Sequence, residues 1–204
     1  VKHWSRAAVV AVGAALVLAV AGCSEAEPGP NDGPMLSSPT ITGGPVTAIP
    51  PLDPSAPTEV RIDKIGASSS LVALGLNPDR TAAVPPVSEP KQASWYKFSS
   101  TPGAKGPSVI LGHINGGGTP GIFSRLHELK PGDQVSVKRA DGKTAVFTIT
   151  KLEQFPKGNF PTQLVYGDTP DAQVRLITCG GAFNRAAKSY IDNIIASGTL
   201  TSVA

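Results

Sequence analysis

After residue 58 the chain alternates apolar and polar positions over short stretches. Val60-Arg61-Ile62 and Val135-Ser136-Val137 put their apolar side chains on one face of an extended backbone, and Val146-Phe147-Thr148-Ile149 extends the pattern. Val109-Ile110-Leu111 and Val174 to Ile177 are short continuous apolar or mixed runs, and Tyr190 to Ala196 reads as a closing strand. Lys130-Pro131-Gly132-Asp133 and Ala140-Asp141-Gly142-Lys143 carry turn chemistry, the second predicting a hairpin between 135–137 and 146–149. No internal repeat and no long amphipathic helix is present. Short strands parted by Gly/Pro turns predict an all-β barrel or sandwich over 59–204, long enough for one hydrophobic core.

The N-terminal third follows other rules. Lys2 and Arg6 precede an uncharged run from Ala7 to Gly22, shorter than the roughly 20 residues that span a bilayer as a helix. This predicts a signal peptide over 1–23, and Val20-Ala21-Gly22-Cys23 resembles a bacterial lipobox, with Cys23 the lipidated residue. An uncleaved membrane helix is the other reading. Either way the domain is expected on the extracytoplasmic face of the cell membrane, lipid-anchored or held by its N-terminal helix, and two acyl chains suffice for stable anchoring. Residues 24–58 hold nine prolines, four carboxylates and no Lys or Arg, a composition that predicts a disordered, extended linker. With the two leader cations and four linker carboxylates set aside, the +3 of the whole chain becomes +5 for 59–204. Those cations are dispersed and few aromatic residues accompany them, which argues against nucleic-acid binding.

The candidate chemistry lies in Arg175-Leu176-Ile177-Thr178-Cys179-Gly180-Gly181. The apolar pattern stops at Thr178, and two glycines free the backbone directly after the sulfur. A thiol presented at a strand end acts as a thiolate nucleophile when a basic neighbour helps to ionise it. His113, at the end of Ser108-Val109-Ile110-Leu111-Gly112-His113, is the histidine that also closes an apolar run. The competing reading makes Cys179 a small core residue and His113 a surface imidazole. Spacing alone does not show that the two meet.

Leu-Ile-Thr-Cys, preceded by Val-Ile-Leu-Gly-His and followed by Gly-Gly-Ala-Phe-Asn-Arg and Tyr190-Ile191-Asp192-Asn193, resembles the sortases, and among them the class F enzymes of actinobacteria. The likeness runs from about Thr58 to Ala204. It includes Trp95-Tyr96, Phe123-Ser124-Arg125-Leu126 and Lys130-Pro131-Gly132-Asp133. The resemblance implies an eight-stranded sortase β-barrel with short helices or 3-10 turns in its connections, and a cysteine transpeptidase. Its substrates would be surface proteins bearing Leu-Pro-X-Thr-Gly sorting signals, cut between Thr and Gly. Cys179 would be the nucleophile and His113 the proton donor and acceptor. A peptidoglycan precursor or another envelope amine, or water, would take the acyl group. No cofactor and no metal is implied, and the scattered Cys and His give no zinc spacing.

Sortases also carry an arginine downstream of the cysteine that orients substrate or stabilises the oxyanion. Arg185 can match it, although the best-known members place it on the following strand, where this chain reads Tyr190-Ile191-Asp192-Asn193; Arg125 and Arg175 are the alternatives. Thr178 precedes the thiol as in the family and is expected to touch substrate through its hydroxyl or its backbone. His127, between two apolar residues and beside Glu128, is expected at the surface and not as a second base. Trp95 and Tyr96 could line a peptide groove or pack in the core. The glycine-rich Asn115 to Gly121 lacks the Gly-Lys-Ser/Thr of a phosphate loop and reads as a loop beside the site.

Rival readings differ at specific residues. L,D-transpeptidases resemble Ser-His-Gly-Cys at the nucleophile, and papain-like peptidoglycan peptidases place cysteine before histidine. A non-catalytic β-rich lipoprotein, with Cys179 paired to Cys23, is the third.

Overall fold

Alternation at Val60, Ile62, Val135 and Val137 works because those residues close on one interior, where all four are buried. The computed structural model describes residues 33–204. Along the chain, β1 is Thr40–Thr42, β2 Pro57–Ile62, β3 Ala67–Leu74, β4 Ala93–Tyr96 and β5 Gly106–Gly112. The two-residue strands β6 Asn115–Gly116 and β7 Thr119–Pro120 precede β8 Gln134–Arg139 and β9 Thr144–Pro156. A one-turn helix, α1 Thr162–Tyr166, leads to β10 Ala172–Asn184 and β11 Ser189–Val203. Short 3-10 turns occupy Asp63–Ile65, Leu126–Glu128 and Lys157–Asn159.

Strand order is β9-β11-β10-β5-β4-β3-β2-β8, and β8 pairs back onto β9. The result is a closed eight-stranded barrel with β1 added along β9. Closure removes the free edges that an open sheet would present. Phe147, Ile149, Leu152, Leu176, Ile194 and Leu200 fill the interior, and Phe123, Leu126 and Leu129 from the β7–β8 connection join them. The predicted hairpin is present, β8 and β9 joined through the Ala140–Lys143 turn. β11 is longer than the pattern predicts, because it is paired on both sides, by β10 and by β9.

β5 is buried at all seven positions, which explains its unbroken apolar run. Ile110 faces the barrel interior. Val109 and Leu111 face outward, into a second apolar cluster with Ile177, Ile195 and Val165, covered by Tyr96, Phe155, Phe160 and Leu164. The barrel therefore carries a small outer core on the face of β5 and β10.

The stretch read as a disordered linker, 24–58, is bound to the barrel from Gly33 onward. β1 pairs with Lys151 to Glu153 of β9, the Ile49 amide donates to the Leu200 carbonyl and the Leu52 amide to that of Gly103. Leu36, Ile41, Ile49 and Leu52 pack on the barrel core. Buried Arg139 donates to the carbonyls of Asp53, at 2.6 Å, and Pro102 while pairing with Asp141 at 2.7 Å. A proline-rich segment cannot build its own core, but here four apolar side chains borrow one. The leader, Cys23 and the start of the linker lie outside the described residues.

Candidate active site

β10 and β5 run parallel, with Ala172 opposite Gly106 and Ile177 opposite Leu111. Continuing that register by two residues brings His113 beside Cys179, on strands that lie about 4.8 Å apart in such a sheet. Directly paired residues share a face, and Ile177 and Leu111 both belong to the outer cluster. Cys179 and His113 therefore both project from the outer face of the barrel, two positions beyond that cluster. On the other side of Cys179 the antiparallel partner is Asn193 of β11. Cys179 and Asn193 are half-buried, and Cys179 is a free thiol.

The His113 imidazole is half-buried and anchored by the loop between β3 and β4. Its Nε2 lies 2.7 Å from the Pro85 carbonyl oxygen. A carbonyl only accepts, so Nε2 carries the proton, and in the neutral ring Nδ1 is the nitrogen left to exchange one.

Glycine shapes the two segments that follow these residues. Pairing between β10 and β11 slips between Gly180 and Phe183, and Gly181 sits at φ +73, where a Cβ would meet the Asp192 carboxylate at 2.5 Å. The bulge ends the flat strand just past the thiol. Its backbone is taken by the N-terminal segment, with Gly33 donating to the Gly181 carbonyl at 2.8 Å and Gly181 to the Pro34 carbonyl at 3.2 Å. Beyond His113, the loop from Asn115 to Pro120 folds into the β6–β7 hairpin, and Asn115 Nδ2 donates to the Tyr190 hydroxyl at 2.6 Å. Gly121 then returns against the histidine backbone, where a Cβ would lie 2.1 Å from the His113 carbonyl oxygen. Gly121→Ala should therefore displace His113. Turnover is expected to fall by about 100-fold, the usual consequence of a misplacement near 1 Å, with about 1–3 kcal/mol of stability lost to overpacking. Steady-state kinetics and thermal unfolding on the same variant would check both.

A groove of about 560 Å³ lies over the outer cluster. Its floor is Leu111 and Ile177, two residues short of His113 and Cys179, and its walls come from the β3–β4 loop (Arg80 to Ala82) and the β9–β10 connection (Lys157, Phe160, Tyr166). A second hollow of about 410 Å³ shares Arg80, Ala82 and Tyr166 with it and continues over Tyr96 and Phe98. Together they form a trench that reaches Asn193, the β11 partner of Cys179, while Cys179 and His113 themselves line neither half.

The chain matches the Sortase domain family over residues 60–201. It belongs to the sortase family. Solved sortases share its fold: a pilus-related sortase C of Group B Streptococcus is 18% identical, with TM-score 0.55, covering 74% of this chain and 69% of that one. Sortase A of Corynebacterium diphtheriae is 17% identical, with TM-score 0.56, over 74% of this chain and 62% of that one, so this sortase spans under two thirds of that relative. Sortase A of Listeria monocytogenes is 16% identical at TM-score 0.54, over 74% of this chain and 90% of that one. Comparison with curated proteins gives no match.

Within this sortase the remaining candidates separate. Arg185 is exposed in the turn between β10 and β11, six residues past Cys179 and beyond the bulge, so the strand that presents the thiol does not present it. Arg175 is buried four residues before Cys179 and donates to the Leu164 and Val174 carbonyls and to Gln173 Oε1, fastening the β9–β10 connection to the sheet. Burial pushes its pKa down from the ordinary arginine value, and nearby Asp171 and Glu153 oppose that shift. Arg125 is engaged by Glu128 through two hydrogen bonds. Thr178 is buried opposite Ile194, on the interior face, and its Oγ1 has no hydrogen-bond partner among the described residues. The Thr178 hydroxyl is thus on the interior face, which leaves the backbone as the part of this residue that can meet substrate.

His127 lies in the turn at Leu126–Glu128, beside Met35, Ser37 and Lys64. It is half-buried and lines a surface hollow together with Met35 and Ser37 of the N-terminal segment. Trp95 is buried opposite Ile110 and donates to the Ser100 carbonyl at 3.2 Å, whereas Tyr96 faces the trench and meets Phe98 and Tyr166 edge-on. Arg80, Lys157, Phe160, Asn193 and Pro85 complete the site's surroundings. No sequence motif marks them, because each enters from a loop or a neighbouring strand.

Proposed function

We propose that this sortase is an exported, membrane-tethered transpeptidase of the class F kind that cuts Leu-Pro-X-Thr-Gly sorting signals between Thr and Gly. The observation that supports the reading is the parallel register of β5 and β10, which ends at Leu111 and Ile177 on the floor of an apolar trench and, continued by two residues, sets His113 next to Cys179.

The Cys179 thiolate attacks the Thr carbonyl, giving a tetrahedral oxyanion. Collapse breaks the Thr–Gly bond, and His113, as imidazolium, gives its proton to the departing glycine amine. The acyl group is left as a thioester on Cys179. An incoming amine of the cell envelope then attacks the thioester carbonyl, His113 takes the amine proton, and Cys179 leaves as thiolate. Water in place of the amine gives hydrolysis. The Pro85 carbonyl holds the ring so that Nδ1 is the working nitrogen, the part a third residue plays when it orients a catalytic base. Arg185 keeps an oxyanion or substrate role in this scheme only if the β10–β11 turn folds toward bound peptide.

Incubation with a Leu-Pro-X-Thr-Gly peptide should release a glycine-initiated fragment and add the acyl mass to the protein at Cys179. Absence of both would reject the reading. Anchoring rests on the leader and on Cys23 as the lipidation site, supported by the small residues before it. Mass analysis of the mature N-terminus distinguishes a diacylglyceryl-modified Cys23 from an uncleaved helix.

A further inference from the structure

We propose that Arg80 binds substrate, pairing with a carboxylate on the peptide that occupies the groove, so that this sortase selects sorting signals with an acidic residue just before the scissile Thr. The inference rests on the transpeptidase reading for its register, but its physical basis is the charge pattern of the groove.

Arg80 stands where the two halves of the trench meet and contributes to the wall of each. It lies at the tip of a tight turn whose ends bridge Leu76 to Ala82. Its backbone is left-handed, at φ +67, a conformation that costs a residue with a Cβ about 1–2 kcal/mol and that glycine would adopt freely. The turn is braced to hold that conformation. Asp79 accepts from the Thr81 amide and hydroxyl, Asn77 Nδ2 donates to Thr81 Oγ1, and the Arg80 amide donates to the Asn77 carbonyl. Asp79, the nearest carboxylate in sequence, is thereby occupied by Thr81.

The side chain itself is unoccupied. Arg61, Arg125 and Arg139 each form an ion pair within the protein, whereas the Arg80 guanidinium makes no hydrogen bond or ion pair with any described residue. The groove over Leu111 and Ile177 contains a second cation, Lys157, whose Nζ donates to Ser189 Oγ at 2.7 Å, and no carboxylate in its lining. Asp168 lines only the outer half of the trench. The lining of the half over Leu111 and Ile177 thus carries two cations and no carboxylate, and Arg80 stands at its junction with the half that holds Asp168. A ligand that matches has an apolar side chain for Leu111, Ile177 and Phe160 and a negative charge close to the reacting carbonyl. With the Thr carbonyl at Cys179, the residue before it, the X of the sorting signal, lies over the floor of Leu111 and Ile177 whose wall holds Arg80, and we place the charge there.

The test uses three peptides, Leu-Pro-X-Thr-Gly with X as Glu, Gln or Lys, on the wild type and on Arg80→Glu, Arg80→Lys and Arg80→Gly, with rates normalised to the Gln peptide. Wild type should favour Glu over Lys by about 3- to 10-fold, through KM and not kcat, as expected for a partly exposed charge pair. Arg80→Glu should invert the preference, Arg80→Lys keep it, and Arg80→Gly, which suits the backbone, erase it; high salt should flatten all four. Peptide binding to Cys179→Ala protein supplies a readout that needs no chemistry. If that protein binds the Glu peptide in preference to Lys and wild type cleaves neither, the pairing stands and the transpeptidase reading falls. If wild type cleaves all three with equal KM and Arg80→Glu shifts none, the pairing is overturned and the reading stands.

Discussion

Cys179→Ala should lose essentially all peptide cleavage, by at least about 10⁴-fold, and should form no covalent adduct with a sorting-signal peptide. The loss is this large because the acyl group has no other thiol among the described residues to form a thioester with: Cys179 is the one free cysteine there, and it lies in β10 just before the bulge. The fold should persist. Cys179 is half-buried and lies outside both apolar clusters, so removing one sulfur leaves no large cavity and should shift the unfolding midpoint by only a few degrees. Full turnover by this variant, with an intact melt, would overturn the mechanism. An unfolded variant would instead mean that the thiol is structural.

His113→Ala is expected to lower kcat/KM by about 10²- to 10⁴-fold, the usual contribution of a positioned acid–base group. The deficit should depend on the leaving group. An amide nitrogen must be protonated as it departs, while a nitrophenyl ester of the same acyl peptide releases a stable anion. If His113 serves chiefly as the proton donor, the variant should acylate normally with the ester and remain slow with the amide. Equal losses on both would mean that the imidazole acts by ionising Cys179. His113→Ala also vacates the hydrogen bond to Pro85, so the β3–β4 loop should lose protection from hydrogen exchange.

How far the sequence could be read depended on whether the determining contacts were local. Val60, Ile62, Val135, Val137 and the Ala140–Lys143 turn declare their strands because alternation and turn chemistry act over a few residues. Cys179 and His113 were recognisable as strand-end residues, but their meeting depends on a parallel register between segments more than sixty residues apart. Family resemblance supplied that link in advance; periodicity could not. The same limit explains Arg185. The resemblance favoured it as the one arginine downstream of the cysteine, and whether it reaches the thiol depends on the turn after the bulge at Gly181, which no local pattern sets; Arg80, some hundred residues earlier, stands on the groove wall with no motif to mark it. Composition also misled over 33–58, because proline content reports what a segment cannot do alone and not what it can do against a preformed surface.

The segment from Gly33 to Asp53 has a practical corollary. It is paired along β9 through Thr40 to Thr42 and covers apolar barrel surface with Leu36, Ile41, Ile49 and Leu52. A shortened form beginning at Glu59 would bare that strand margin and those hydrophobic patches together, a template for self-association. The proline-rich stretch thus acts as a sheath for the folded enzyme, and soluble preparations should retain it from Gly33.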